Sequence, residues 1–92
     1  MTGNREWDPS GMSKSIMWAE TDAKGFESEC LFNEDSRSYE VMVCASGRRL
    51  CRSESFAARR DPLQGMDEED RRASVAIAER LVVEIEHELG DR

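Results

Sequence analysis

Few residues in this 92-residue chain could do chemistry. Cys44 and Cys51 flank the six residues ASGRRL, and Cys30 is the third and last cysteine. His87 is the single histidine. Four carboxylates follow one another at Asp67, Glu68, Glu69 and Asp70. Arg48, Arg49, Arg52, Arg59 and Arg60 give residues 48–60 a net charge of +4, which leaves −11 on the rest of a chain whose total is −7.

The chemistry open to each group is narrow. If a two-residue type II′ turn forms at Gly47-Arg48, Cys44 stands opposite Cys51 across a hairpin, in a hydrogen-bonded pair with Cα atoms ~5.5 Å apart. That distance allows a disulfide. The plainer expectation is two small, half-buried and silent thiols. A thiol redox switch stays open, and so does a nucleophile activated by Arg48, Arg49 and Arg52. A metal site is disfavoured, because no CxxC pair exists and His87 is remote in sequence. His87 sits among Glu84, Glu86 and Glu88 with no partner set for a mechanism. The four carboxylates lack the alternating spacing and internal glycine of a calcium loop, and read as a helix start. There is no phosphate loop, nucleophile elbow or HExxH. No enzyme, no cofactor and no metal is expected.

The elements that position these groups follow from periodicity. Residues 14–21, KSIMWAET, read as a first strand, and 22–25, DAKG, as a tight turn closed by a positive-φ glycine. Residues 26–32, FESECLF, put Phe26, Cys30 and Phe32 on one face and Glu27, Glu29 and Leu31 on the other. Residues 39–45, YEVMVCA, put Tyr39, Val41 and Val43 against Glu40, Met42 and Cys44. The fourth strand, 49–56, breaks its own alternation with Arg52 and Glu54, and a bulge there would repair it. Asp67 is the expected N-cap of a helix running to Leu89, with Gly90 as its stop. Ile77, Ala78, Leu81, Val82, Ile85 and Leu89 form its apolar stripe. The fold class is α+β: an antiparallel meander of three to four strands, with one long C-terminal helix packed on one face. Residues 1–13 read as a flexible arm, with Trp7 folding back onto a single domain over 14–92.

One helix covers one side of a sheet. The other side would hold Leu31, Met42, Cys44 and Cys51, with either Met17 and Ala19 or Ile16 and Trp18 from the first strand. An apolar patch of that kind predicts an interaction site, and a face-to-face homodimer is one way to cover it. The acidic balance points to a basic partner and away from nucleic acid. Glu27, Glu29, Asp67, Glu68, Glu69 and Asp70 are the candidate acidic contacts. The arginines at 48, 49, 52, 59 and 60 either pair with the helix start or form a basic edge, which would make a nucleic-acid-binding β3α module the alternative. No apolar run approaches a membrane span, and the first residues lack a signal peptide's apolar middle. A cytoplasmic location with reduced thiols is therefore expected.

Two resemblances bear on this. The strand order and the helix RRASVAIAERLVVEIE are similar to the last part of a double-stranded-RNA-binding domain over roughly 26–86. That family's first helix is missing, and Asp67, Glu68, Glu69 and Asp70 replace its phosphate-binding basic residues. In size and charge the chain also resembles small phage-encoded inhibitors such as anti-CRISPR proteins. That likeness implies carboxylates occupying sites meant for phosphates on a nucleic-acid-handling protein. The expected function is a non-enzymatic protein-protein interaction or regulatory module.

Overall fold

The computed structural model describes residues 14–62 and 65–90. The expected N-terminal arm, Trp7 included, lies outside them. Four strands, β1 (Lys14–Thr21), β2 (Glu27–Asn33), β3 (Ser38–Cys44) and β4 (Cys51–Ala57), form an antiparallel sheet in chain order. One long helix, α1 (Glu68–Gly90), packs across it.

Each element has a local cause. Asp22 Oδ1 accepts from the N–H groups of Lys24 (2.9 Å) and Phe26 (3.0 Å), and Gly25 takes φ +89°, so the first hairpin closes as its sequence predicts. Asn33 Oδ1 ties the second turn by accepting from Asp35 and Ser36. Asp67 caps α1, with Oδ2 accepting from Glu69 N at 3.1 Å and Asp70 N at 3.3 Å. The helix includes Gly90, one residue past the expected end.

The inner face of the sheet carries the core. Phe26, Cys30, Phe32, Tyr39, Val41 and Val43 are buried beneath Ala78, Leu81 and Ile85 of α1, with Ile77, Val82 and Leu89 packed at the margin. The register Phe32↔Tyr39 and Cys30↔Val41 produces this layer. Tyr39 sits between Phe32 and Phe56, each ring centroid 5.3 Å away.

Three expectations need correction. The bulge lies in β1, not β4: the register shifts between Ile16 and Trp18, so Ile16 pairs Leu31 while Trp18 pairs Cys30. That extra residue sends Ile16 to the outer face and Trp18 to the inner one. β4 pairs β3 without interruption from Ala57 to Cys51. Its inward Arg52 and Glu54 lie on an edge strand and reach past the helix flank, to Glu88 and Arg80. Edge position thus satisfies the charges that broke the alternation. The third turn is not a II′ turn. Ala45 N donates to Leu50 O at 2.8 Å, which closes a four-residue loop with positive φ at both Gly47 (+75°) and Arg48 (+57°). Lengthening the loop by two residues exchanges the two kinds of pair along the ladder, so Cys44 and Cys51 face each other at a close, non-hydrogen-bonded position. Third, these cysteines are not the two silent thiols expected: their Cα atoms are 4.0 Å apart and their sulfurs are joined in a disulfide.

Candidate docking surface

The pleat decides which side chains meet on the outer face. Strand β2 contributes Glu27, Glu29 and Leu31, β3 contributes Glu40 and Met42, and β4 contributes Ser53 and Ser55. Ile16 joins from β1 and is 66% exposed. Two shallow depressions meet at Met42. One, of about 160 Å³, is lined by Thr21, Glu27, Glu29, Cys44 and Arg48. The other, of about 260 Å³, is lined by Leu31, Glu40, Ser53 and Ser55. Half-buried Leu31 and Met42 are thus bordered by three carboxylates.

The apolar part is narrower than the strand pattern alone suggests. Ser53 stands beside Met42, and Ser55 beside Glu40, which places small polar groups along the β4 side. Cys44 is only 2% exposed and Cys51 carries the accessible side of the disulfide. Two of the three carboxylates already have cations. Arg48 Nη1 lies 3.2 Å from Glu27, and Lys14 Nζ lies 3.4 Å from Glu40. Both pairs are exposed and contribute little stability. Glu29 has no cation within ion-pair distance among the described residues.

The arginines do not share one edge. Arg48 stands on the outer rim with Glu27, and Arg49 is exposed in the loop. Arg52 pairs with Glu88 near the far end of α1. Arg59 reaches Glu69 at 3.3 Å, and Arg60 reaches Asp67 at 3.3 Å, at the start of the same helix. The rise of an α-helix puts those two ends about 30 Å apart.

The carboxylates at 67–70 divide likewise. Glu68 and Glu69 are exposed. Asp67 turns inward to cap the helix. Asp70, a candidate surface contact by sequence, is 2% exposed and accepts from Arg59 N at 2.9 Å. It fastens the incoming chain to the first turn of α1 and is not available to a partner.

Sequence periodicity missed a buried polar node. Trp18 Nε1–H donates to Ser74 Oγ at 2.9 Å, and Ser74 Oγ–H donates to Arg71 O at 2.7 Å. Ser74 is fully buried. A serine at a helix position one turn before Ala78, on the core stripe, was the available signal. Burial pushes the nearby Cys30 thiol up to about 11. Burial, helped by the charge of Asp70, pushes the Tyr39 hydroxyl up to about 12, and among the described residues that hydroxyl has no hydrogen-bond partner. A buried thiol of this kind is a poor nucleophile. His87 is exposed and lines a shallow surface with Val83, Glu84 and Glu88. Among the described residues, no group of three or more His, Cys, Asp or Glu could hold a metal ion. No family model matches the chain, and no curated protein or solved structure matches it either.

Proposed function

We propose that this chain is a non-catalytic docking module whose outer sheet face receives a basic segment of another protein. The observation that carries this reading is the pairing of Leu31 and Met42 with a border of Glu27, Glu29 and Glu40 across two adjoining depressions. An extended or helical segment with one apolar side chain between Lys or Arg residues matches that layout in both shape and charge. Proteins that handle nucleic acids present such segments to phosphate, so inhibition by carboxylate substitution is the natural mode of action, as in small phage-type inhibitors. The face argues against a second copy of itself, since a two-fold sandwich would set these carboxylates against one another. No described helix is long and apolar enough to cross a membrane, while the Cys44–Cys51 disulfide runs against a cytoplasmic setting with reduced thiols.

The test is chemical-shift mapping with a twelve-residue peptide of alternating Arg and Leu at 50 and 300 mM salt. Shifts should centre on Glu29, Leu31 and Met42 and shrink at the higher salt. Glu29→Lys with Glu40→Lys should abolish them in a protein that stays folded. Shifts centred elsewhere, or unchanged in the double variant, would dismiss the reading.

A second reading, thiol-disulfide regulation, is favoured by one specific observation: the Cys44–Cys51 bond ends at an exposed Cys51 close in sequence to Arg48, Arg49 and Arg52. A direct nucleic-acid contact by the arginine edge is supported less, because Arg48, Arg52, Arg59 and Arg60 are each engaged by a carboxylate.

A further inference from the structure

Helix α1 does not cover the whole inner face. It lies over β3, touches β4 and β2, and is joined to β1 through the side chain of Trp18. A groove of about 140 Å³ therefore opens between β1 and the flank of α1, on the side of the sheet opposite the docking surface. Its apolar lining is Trp18, Val75, Ala78 and Val82, and its acidic groups are Glu20, Asp22 and Glu79. Val75 is 38% exposed, so the groove wall faces solvent.

Three properties make this more than a gap in packing. First, the indole is fixed. Its N–H is held by Ser74, which is held in turn by the helix backbone. A ring so anchored cannot turn away from an incoming group and loses little entropy on contact. Second, the charge is of one sign and is not neutralised. Among the described residues, neither Glu20 nor Glu79 has a cation within ion-pair distance. Lys24, the cation nearest Glu20 in sequence, is engaged by Glu86 Oε2 at 2.7 Å, and Arg80, next to Glu79, is engaged by Glu54 and Glu84. The helix places Val75 and Val83 one turn either side of Glu79, so no helical neighbour at that spacing balances it. Third, the mixture is specific. An aromatic ring with carboxylates around it suits a planar cation, which can lie on the ring while its N–H groups reach the acids. An apolar side chain would leave the carboxylates desolvated, and an anion would be repelled.

We infer that the groove between Trp18 and the Val75–Val82 flank of α1 is a binding site for an arginine side chain presented by a partner protein. It is separate from the outer face and stands whether or not that face binds a basic segment.

The experiment follows the indole N–H of Trp18 by NMR, its signal assigned by loss in Trp18→Phe. The probe is N-acetyl-arginine methylamide, with the citrulline analogue as a neutral isostere and spermidine as a flexible cation. Arginine should shift the Trp18 signal saturably, citrulline should not, and spermidine should bind more weakly. Glu20→Gln with Glu79→Gln should lower arginine affinity about ten-fold, the sum of two exposed charge contacts, with an unchanged thermal midpoint. No shift, an equal shift with citrulline, equal binding of spermidine, or an unaltered affinity in the double variant would each overturn the site. In any of these cases inward Glu20 serves only to guard the open edge of β1.

Discussion

Reducing the Cys44–Cys51 bond should weaken the fold by a predictable amount. The bond spans a sequence separation of 7 and closes one short loop. Loop-closure entropy for about eight residues corresponds to about 2.5 kcal/mol of stabilisation through the unfolded chain. An opposing effect comes from the loop itself. Arg48 holds φ +57°, a conformation that costs a residue with a side chain about 1 kcal/mol, and a cut loop is free to relax it. The net loss should lie at about 1.5–2.5 kcal/mol. With a urea slope of about 1 kcal/mol per M for so small a chain, the midpoint should drop by about 2 M on adding reductant. Thiol counting accompanies the titration. Without reductant, the unfolded chain should show one reactive thiol, Cys30, and with reductant three. A midpoint that moves by less than about 0.3 M, or three thiols before reduction, would refute the loop-closure argument. The second of these results would also fit a reducing compartment.

Three further outcomes follow from the core and the helix start. Tyr39→Phe should stabilise the protein by about 1 kcal/mol at neutral pH, since it removes a buried hydroxyl that has no partner among the described residues; urea unfolding that shows a loss instead would mean the hydroxyl is bonded. Tyr39 and Cys30 both hold their protons more tightly when folded, so their stabilisation is complete below about pH 9 and is lost as pH climbs toward 11 to 12. Denaturant titrations across that range should show the decline, and Tyr39→Phe should flatten its upper part. Asp67→Ala should cost about 1–2 kcal/mol by removing the helix cap, against near-neutrality for Glu68→Ala on the exposed side. Thermal melts by circular dichroism separate the two, with a fall of about 5–10 °C expected for the first.

The sequence by itself determined the α+β class, the strand order and the layer that packs beneath the helix. Alternation at period two in residues 26–32 and 39–45, and an apolar stripe at period 3.6 in residues 77–89, are local patterns that only one register satisfies. The Asp22 turn and the Asp67 cap are local as well, since each uses a side chain bonding to backbone two to four residues on. What depended on tertiary structure was every feature set by an extra residue or by an edge. One bulge in β1 divided Ile16 from Trp18, and so filled the outer face with one and the inner groove with the other. A loop longer by two residues changed the kind of pair that Cys44 and Cys51 make, from a hydrogen-bonded one to a closer, non-hydrogen-bonded one in which their sulfurs are joined. The arginines of residues 48–60 look like one basic run along the chain, yet strand β4 spreads them from one end of α1 to the other, where separate carboxylates meet them. Asp70 looks like surface charge and is a buried tether. Composition records how many charges there are; only the path of the backbone decides which of them face water.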